Sequence, residues 1–331
     1  SSTPGMRAGL HGRATRVRAS RRHRRPLEGQ SSRLVTSTTE RSQVASPAEA
    51  LPPPPQPVEE PTVVVIDGSA HWKRWWADLH LYRGALYSLA WRNVRSRYKQ
   101  AALGMAWAVV QPGLQVLVFT VLFGMIARVP SGDVPYPLFA LCGLIPWNLF
   151  SKILNDGSTS LSANQGLITK IFFPRLYLVL AAGASAILDA IIALVILGGV
   201  MVVYSHVPGS AAWLAALALI GVLVLAYGTA ALLAAINARW RDVQHTIPFL
   251  LQIGLFVTPV LYQPTLVPER WRWLLALNPL AGLIDVFRAS ILGLPLPDPR
   301  FLMTSLGIAL GVLILGVWYF TRAEASVVDV V

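Results

Sequence analysis

The chain has 331 residues, of which 54% are hydrophobic and only 13% charged, with a formal net charge of +12. A soluble globular chain carries about 25% charged residues, so this composition, with a mean hydropathy of +0.53, excludes a purely soluble protein and predicts an integral membrane chain. The one cysteine, Cys142, lies in an apolar run, and the six histidines have no ligand spacing, so neither a disulfide framework nor a zinc site is expected.

Residues 1–70 follow different rules, because "RATRVRASRRHRRP" is Arg-rich and "PAEALPPPPQPVEEP" is Pro-rich. Neither has the periodicity to build a core, and the segment is predicted to be a disordered basic extension. An export or transit signal is the other reading of its arginines, but no apolar stretch follows within reach. Such a tail binds anionic lipid or nucleic acid weakly, as any basic tail does, so no specific nucleic-acid function is inferred.

Residues 71–100 are predicted to be an amphipathic interfacial region. In "WRNVRSRYKQAALGMAWAVVQP" the charge stops abruptly and an apolar run begins. On a helical wheel over 81–100, Tyr82, Leu86, Leu89 and Ala90 share one side, with Arg92, Arg95 and Lys99 opposite, while Arg83 and Arg97 fall off the polar face. The expectation is a helix lying along the cytoplasmic surface, its cations among lipid phosphates and Trp72, Trp75, Trp76 and Trp91 near the headgroups. A plain stop-transfer anchor is the alternative use of the same charges.

Residues 101–322 are predicted to hold six membrane spans, at 103–126, 136–154, 176–204, 211–238, 246–262 and 301–320, with a short cytoplasmic tail at 323–331. Basic connections carrying Lys170 and Arg175, then Arg239 and Arg241, then Arg322, alternate with a connection at 205–210 that has no Lys or Arg. The positive-inside rule therefore puts both termini in the cytoplasm. The stretch 263–300 breaks the pattern with Arg270, Arg272, Arg288 and Arg300, but its Trp, Leu and Pro content fits re-entrant or interfacial helices whose arginines sit at headgroup level. Within it, Asn278 suits an N-cap, Pro279 the first helical position, and Asp285 can pair with Arg288 three residues on. The predicted fold class is thus all-α and integral to the membrane: six transmembrane helices, an N-terminal interfacial helix, and re-entrant or interfacial helices before the last span.

Asp189 is the one carboxylate deep in a predicted span. An ionised Asp at a helix centre costs about 2.5–3.5 kcal/mol on insertion scales, so it is expected to face other helices or water. No titratable partner is apparent at its depth in neighbouring spans, which favours packing or pore lining over proton coupling. The sequence has no GxxxxGK[ST] phosphate loop, no GxSxG elbow and no carboxylate pair at a usable spacing, so a catalytic role is not expected.

"WRNVRSRYKQAALGMAWAVVQP", "PYPLFALCGLIPWNLFS", "GLITKIFFPR", "NARWRDVQH" and "LNPLAGLIDVFRASILG" occur in an order and at a spacing that resembles the permease subunit of ABC-type polysaccharide exporters, the family that exports O-antigen, teichoic acid and related glycans. The resemblance covers about 81–320; the N-terminal extension departs from it. It implies that 161–175 docks on a separate ATPase, with Leu161, Leu167, Ile168, Lys170, Ile171, Phe172, Phe173, Pro174 and Arg175 as contact residues. The residues agree: a polar half with Ser162, Asn164 and Gln165 precedes an apolar half, and Pro174 ends the element. An ordinary loop remains the plainer reading of it.

The interfacial set is Trp91, Arg92, Arg95, Arg97 and Lys99. Aromatic rings stack on the C–H faces of sugars, and Trp107, Trp147, Phe150, Phe172, Tyr177 and Phe256 are candidates to line a glycan path, although most aromatics in membrane proteins are belt or packing residues. Small-residue patterns at Gly307 and Gly311, and at Ala226, Ala230, Ala234 and Ala238, favour close helix contacts within or between chains.

The resemblance further implies two copies of this chain with two copies of an ABC ATPase subunit, which binds the ATP and Mg, while this chain binds no cofactor. It likewise implies a lipid-linked polysaccharide as the cargo and the cytoplasmic (inner) membrane as the location. Competing readings are a permease for a drug or lipid, a membrane-embedded transferase acting on a lipid-linked sugar, and a non-transporting scaffold. The transferase needs an interfacial general base, and no convincing one is found.

Overall fold

The computed structural model describes residues 82–99, 106–170 and 173–327, without side-chain surroundings at 98–99 and 324–327. The expectations for the extension 1–70, for Trp72, Trp75 and Trp76, for the Lys99 side chain, for the first residues of the predicted first span, for Ile171 and Phe172, and for the end of the tail lie outside the described residues. Among the described residues every regular element is helical.

A surface helix, α1 (Arg83–Lys99), comes first. Five helices follow that are long and apolar enough to cross a membrane: α2 (Trp107–Ile126), α3 (Tyr136–Ser158), α6 (Leu176–Val203), α7 (Trp213–Arg239) and α11 (Pro299–Val327). At 1.5 Å per residue they are about 30 to 44 Å long, against a hydrocarbon core of about 30 Å. Between α3 and α6 lie two single turns, α4 (Ser160–Ala163) and α5 (Gln165–Ile168). After α7 come α8 (Val243–Val257), α9 (Glu269–Leu277) and α10 (Pro279–Leu292).

Helix α8, at 15 residues, is apolar but shorter than the five long helices, and the chain directly beyond it is not helical. The predicted helix 246–262 stops at Val257, because Thr258 precedes Pro259 and takes extended backbone at ψ 136°, as the proline ring requires of the residue before it. Partners fix the two ends of this stretch. Near its start, Gln244 N–H donates to Asn237 Oδ1 at 3.2 Å, and Asn237 donates to Ser158 O at 3.1 Å, at the end of α3. Near its finish, Tyr136 Oη donates to Leu261 O at 2.9 Å, at the start of α3. The stretch therefore runs alongside α3, with turn and bend residues 258–262 following where a helix of about 22 Å stops.

Helices α9 and α10 are bent by 97°. Gln263 lies beside Gly132 in the α2–α3 connection, and Gly293 beside Gly209 in the α6–α7 connection, where Gly209 N–H donates to Ile291 O at 3.1 Å. Both ends of the pair thus sit at one face, so it enters and returns rather than crossing. The re-entrant element is as the sequence predicts, including Asn278, whose Oδ1 caps Leu280 N–H at 3.1 Å, and Pro279 at the first position.

Helices α3 and α7 form the centre. Leu138, Phe139 and Ala140 of α3 and Ala218, Val222, Ala226, Ala230 and Ala234 of α7 are fully buried. The Ala226–Ala234 part of the predicted small-residue series packs within the chain, with Ala238 half-buried at its end. The closest backbone approach is elsewhere: a side chain on Gly228 of α7 would strike Leu313, and one on Gly316 of α11 would strike the Gly228 backbone. Gly307 and Gly311 face open space instead. Helix α2 is peripheral, with Leu114, Leu117, Leu122 and Met125 exposed.

Candidate functional site

The α1 face gathers the loop after α3, the helix α1, and a charged cluster between α3 and α6. The loop turns because Ser and Thr at the end of α3 bond back to the preceding turn: Ser158 Oγ to Asn155 O at 2.9 Å and Ser160 Oγ to Gly157 O at 2.7 Å. Such back-bonds offer the backbone an alternative to helix. The predicted ATPase-contact residues divide here. Leu161 and Phe173 are buried in the core, Leu167 and Ile168 pack half-buried against it, and Pro174 and Arg175 are half-buried. Gly166, Thr169 and Lys170 form the exposed rim. Leu161 and Phe173 therefore hold the loop in place, and the rim is what a partner would meet.

Helix α1 packs through Tyr82, Leu86, Leu89 and Ala90, as its periodicity predicts. The stripe continues to Asn93, whose Nδ2 donates to Ala181 O at 3.1 Å, and to Arg97. Arg97 falls off the polar face of the wheel because it belongs to the packed one. Its guanidinium does not join lipid phosphates as expected: Nη1 lies 2.9 Å from Ser185 Oγ, 3.4 Å from Asp189 Oδ2 and 3.9 Å from Asp156 Oδ2. Arg92 also has a protein partner, with Nη2 donating to Asn164 Oδ1 in the loop at 2.6 Å. Arg95 and Trp91 are exposed on the other side.

Asp189 is not alone at its level. Lys152 of α3 places Nζ 2.8 Å from Asp189 Oδ2, so the expectation of no titratable partner is overturned. The reason is geometric. Asp189 is central in the 28-residue α6, but the first turns of α6 pack under α1, which brings Asp189 level with the last two turns of α3. Lys152, near the end of an apolar helix, reads in sequence as a boundary cation. Next to the pair is a cavity of about 30 Å³, room for one water, lined by Gln111, Gln115, Asn148, Lys152 and Asp189 among alanines. Asn148 Nδ2 donates to Gln115 Oε1 there at 2.9 Å.

At the opposite face, Arg288 departs from its expected place among headgroups. It is enclosed by protein at 2% exposure. Nη2 donates to Pro259 O at 3.2 Å and Val260 O at 2.5 Å, Nη1 to Tyr262 O at 3.5 Å, and Cζ lies 3.9 Å from the Phe139 ring centroid. These carbonyls belong to the turn and bend at 259–262 that follow the end of α8. The expected Asp285–Arg288 pair does not form; among the described residues Arg288 has no carboxylate in an ion pair. Arg270, Arg272 and Arg300 are exposed.

The five candidate aromatics among the described residues differ in burial. Trp147 and Tyr177 are core residues at 6% and 1% exposure, Phe150 packs half-buried 6.2 Å from Trp147, and Trp107 and Phe256 are exposed on separate helices. Phe172 lies outside the described residues. Sequence reasoning missed Lys152, Asp156, Ser185 and the Gln115–Asn148 pair; the available signal was polar residues recurring on the inward faces of apolar helices.

Residues 84–292 match the family described as ABC-2 type transporter. The O-antigen export system permease protein RfbA of Myxococcus xanthus is 34% identical over 233 residues, covering 68% of this chain and 87% of that protein. A protein of the same name from Klebsiella pneumoniae is 28% identical, covering 60% and 76%. The polysialic acid transport protein KpsM of Escherichia coli is 24% identical, covering 61% and 78%. The match takes in α1, all of α2 to α8 and the re-entrant pair, and stops where α10 ends: this multi-pass membrane chain belongs to the ABC-2 type transporter family.

Proposed function

We propose that the chain is the permease subunit of a polysaccharide exporter in the cytoplasmic membrane, working as a pair with two copies of a separate ABC ATPase that binds ATP and Mg. The observation that carries this reading is that relatives from three organisms, matched over most of their length, are named for O-antigen export or polysialic acid transport. The α1 face is the cytoplasmic one, supported by Lys170, Arg175, Arg239 and Arg241 in its connections. ATP-driven closure of the ATPase pair presses on the loop 161–175, and the spans move around a channel between the two permease copies. The cargo is a glycan on a lipid carrier. A lipid or drug cargo would use the same coupling, and no observation favours it.

The exposed rim is the ATPase contact, and its test separates contact from folding. Replacing Thr169 and Lys170 with Glu should prevent co-purification of the ATPase and stop export while membrane insertion is unchanged. Replacing Leu161 or Phe173 with Ala should instead lower stability. Retained co-purification and export in the Thr169→Glu/Lys170→Glu variant would remove the loop from the interface.

A further inference from the structure

We propose that Arg97 is a positioning residue of the transport cycle, carrying α1 with the loop by exchanging between two carboxylates, Asp189 on α6 and Asp156 on α3. The proposal rests on the loop being the ATPase contact.

Helix α1 is tied at three levels: to the loop through Arg92 and Asn164, to the first half of α6 through Asn93 and Ala181, and to the charged cluster through Arg97. Asn164 in turn donates to Ser160 O at 2.8 Å, so the loop end of the tie is itself braced. A push on the loop therefore acts on α1 directly.

Arg97 is placed to respond. Its Nη1 lies 3.4 Å from Asp189 and 3.9 Å from Asp156, so a shift of under an ångström reverses which carboxylate is nearer. Asp156 stands in the last turn of α3, just before the loop, where its main-chain carbonyl accepts from Thr159 Oγ1 at 3.3 Å and its Oδ1 accepts from Asn155 Nδ2 at 3.2 Å. Among the described residues the cluster holds the cations Arg97 and Lys152 and the carboxylates Asp156 and Asp189. When Arg97 moves to Asp156, Lys152 stays on Asp189 at 2.8 Å, so both carboxylates are then paired; when Arg97 is nearer Asp189, Asp156, with its side chain 35% exposed, is left to water.

The two pairs differ in hydration in the sense this needs. Lys152 and Asp189 side chains are 21% and 13% exposed, whereas those of Arg97 and Asp156 are 37% and 35% exposed. The drier pair is the fixed one. The wetter pair is screened and weak, which lets it break and reform at little energetic difference. One side chain exchanging between carboxylates on two helices is the kind of two-state element that coupling between sites requires.

The test uses the full chain with its ATPase in membranes. Spin labels at Trp91→Cys on α1 and Ile220→Cys on α7, both exposed positions, in a Cys142→Ala background, report the α1 position. In the otherwise unmodified chain, ATP should change this distance. Arg97→Gln and Asp156→Asn should each abolish the change while the resting distance and ATPase co-purification stay as they were, and ATP consumed per glycan exported should rise about tenfold, with Arg97→Lys restoring it to within about twofold. A purely structural Arg97 would shift the resting distance and would leave Asp156→Asn silent. An ATP-induced change of full size in Asp156→Asn, or in a folded Arg97→Gln, overturns the proposal. Failure of the unmodified chain to bind any ATPase overturns instead the reading on which it rests.

Discussion

Arg97 at the α1 face and Arg288 at the opposite face both stand against apolar helices, and the protein houses their charges by different means. Arg97 lies among Asp189, Asp156 and Ser185, with its side chain 37% exposed. Arg288 is enclosed, with three main-chain carbonyls and the face of Phe139 as partners and, among the described residues, no carboxylate in an ion pair. A cation shared between side chains on separate helices can change partners. One that collects the carbonyls of a single non-helical segment fixes that segment, here 259–262, and with it the entry to the bent helix pair. The α1 face is built to move and the Arg288 site to hold.

The largest expected effect breaks the holding site. Arg288→Met leaves the Pro259, Val260 and Tyr262 carbonyls without their guanidinium donor, and should lower unfolding free energy in detergent by about 1–3 kcal/mol or more, since buried acceptors are left unsatisfied; Arg288→Lys should recover little, because one ammonium cannot spread across three carbonyls and stack on a ring. Denaturation of Arg288→Met at the unmodified midpoint would show that the segment is fixed by something else. Next comes Gly143→Ala. A Cβ at Gly143 meets the Val260 carbonyl and the Arg288 guanidinium, a buried overpacking that typically costs about 1–3 kcal/mol, read as a lowered melting temperature without loss of α1-face function.

At the moving site the effects should be smaller. Asp189→Asn loses the drier pair with Lys152 and should cost about 1–2 kcal/mol, whereas Asp156→Asn, whose pair is wetter, should cost about 0.5 kcal/mol or less. Equal losses at the two carboxylates would erase the distinction between a fixed and an exchanging pair. The smallest effect is expected at Gly311→Ala, which enters open space and should leave the monomer's stability within about 0.5 kcal/mol. A loss of self-association in that variant would locate a partner copy on α11.

Much of this arrangement is legible in the sequence, because hydrophobic length and periodicity report directly on spans and packed stripes. The span positions, the capped α10 and the stripe from Tyr82 to Ala90 follow from those signals. What periodicity does not report is the level at which one helix sits against another. Asp189 reads as deep because it is central in α6, yet α6 begins below α1 and brings it level with Lys152 and Arg97. Arg288 reads as a headgroup cation by its depth, and only the carbonyls of the turn and bend at 259–262 draw it inward. Exposure of single aromatics is likewise decided by neighbours, so Trp147 and Tyr177 are core and Phe256 is not.

The central claim is that this chain conducts a glycan when an ATPase acts on its α1 face. Inverted membrane vesicles containing the chain and its ATPase, supplied with a lipid-linked polysaccharide on the outside, test it most directly. ATP should move the glycan into a compartment protected from added glycosidase, and the Thr169→Glu/Lys170→Glu variant should leave it exposed. Glycan that stays accessible with ATP in the unmodified system, while ATP is being hydrolysed by a bound ATPase, would contradict the account.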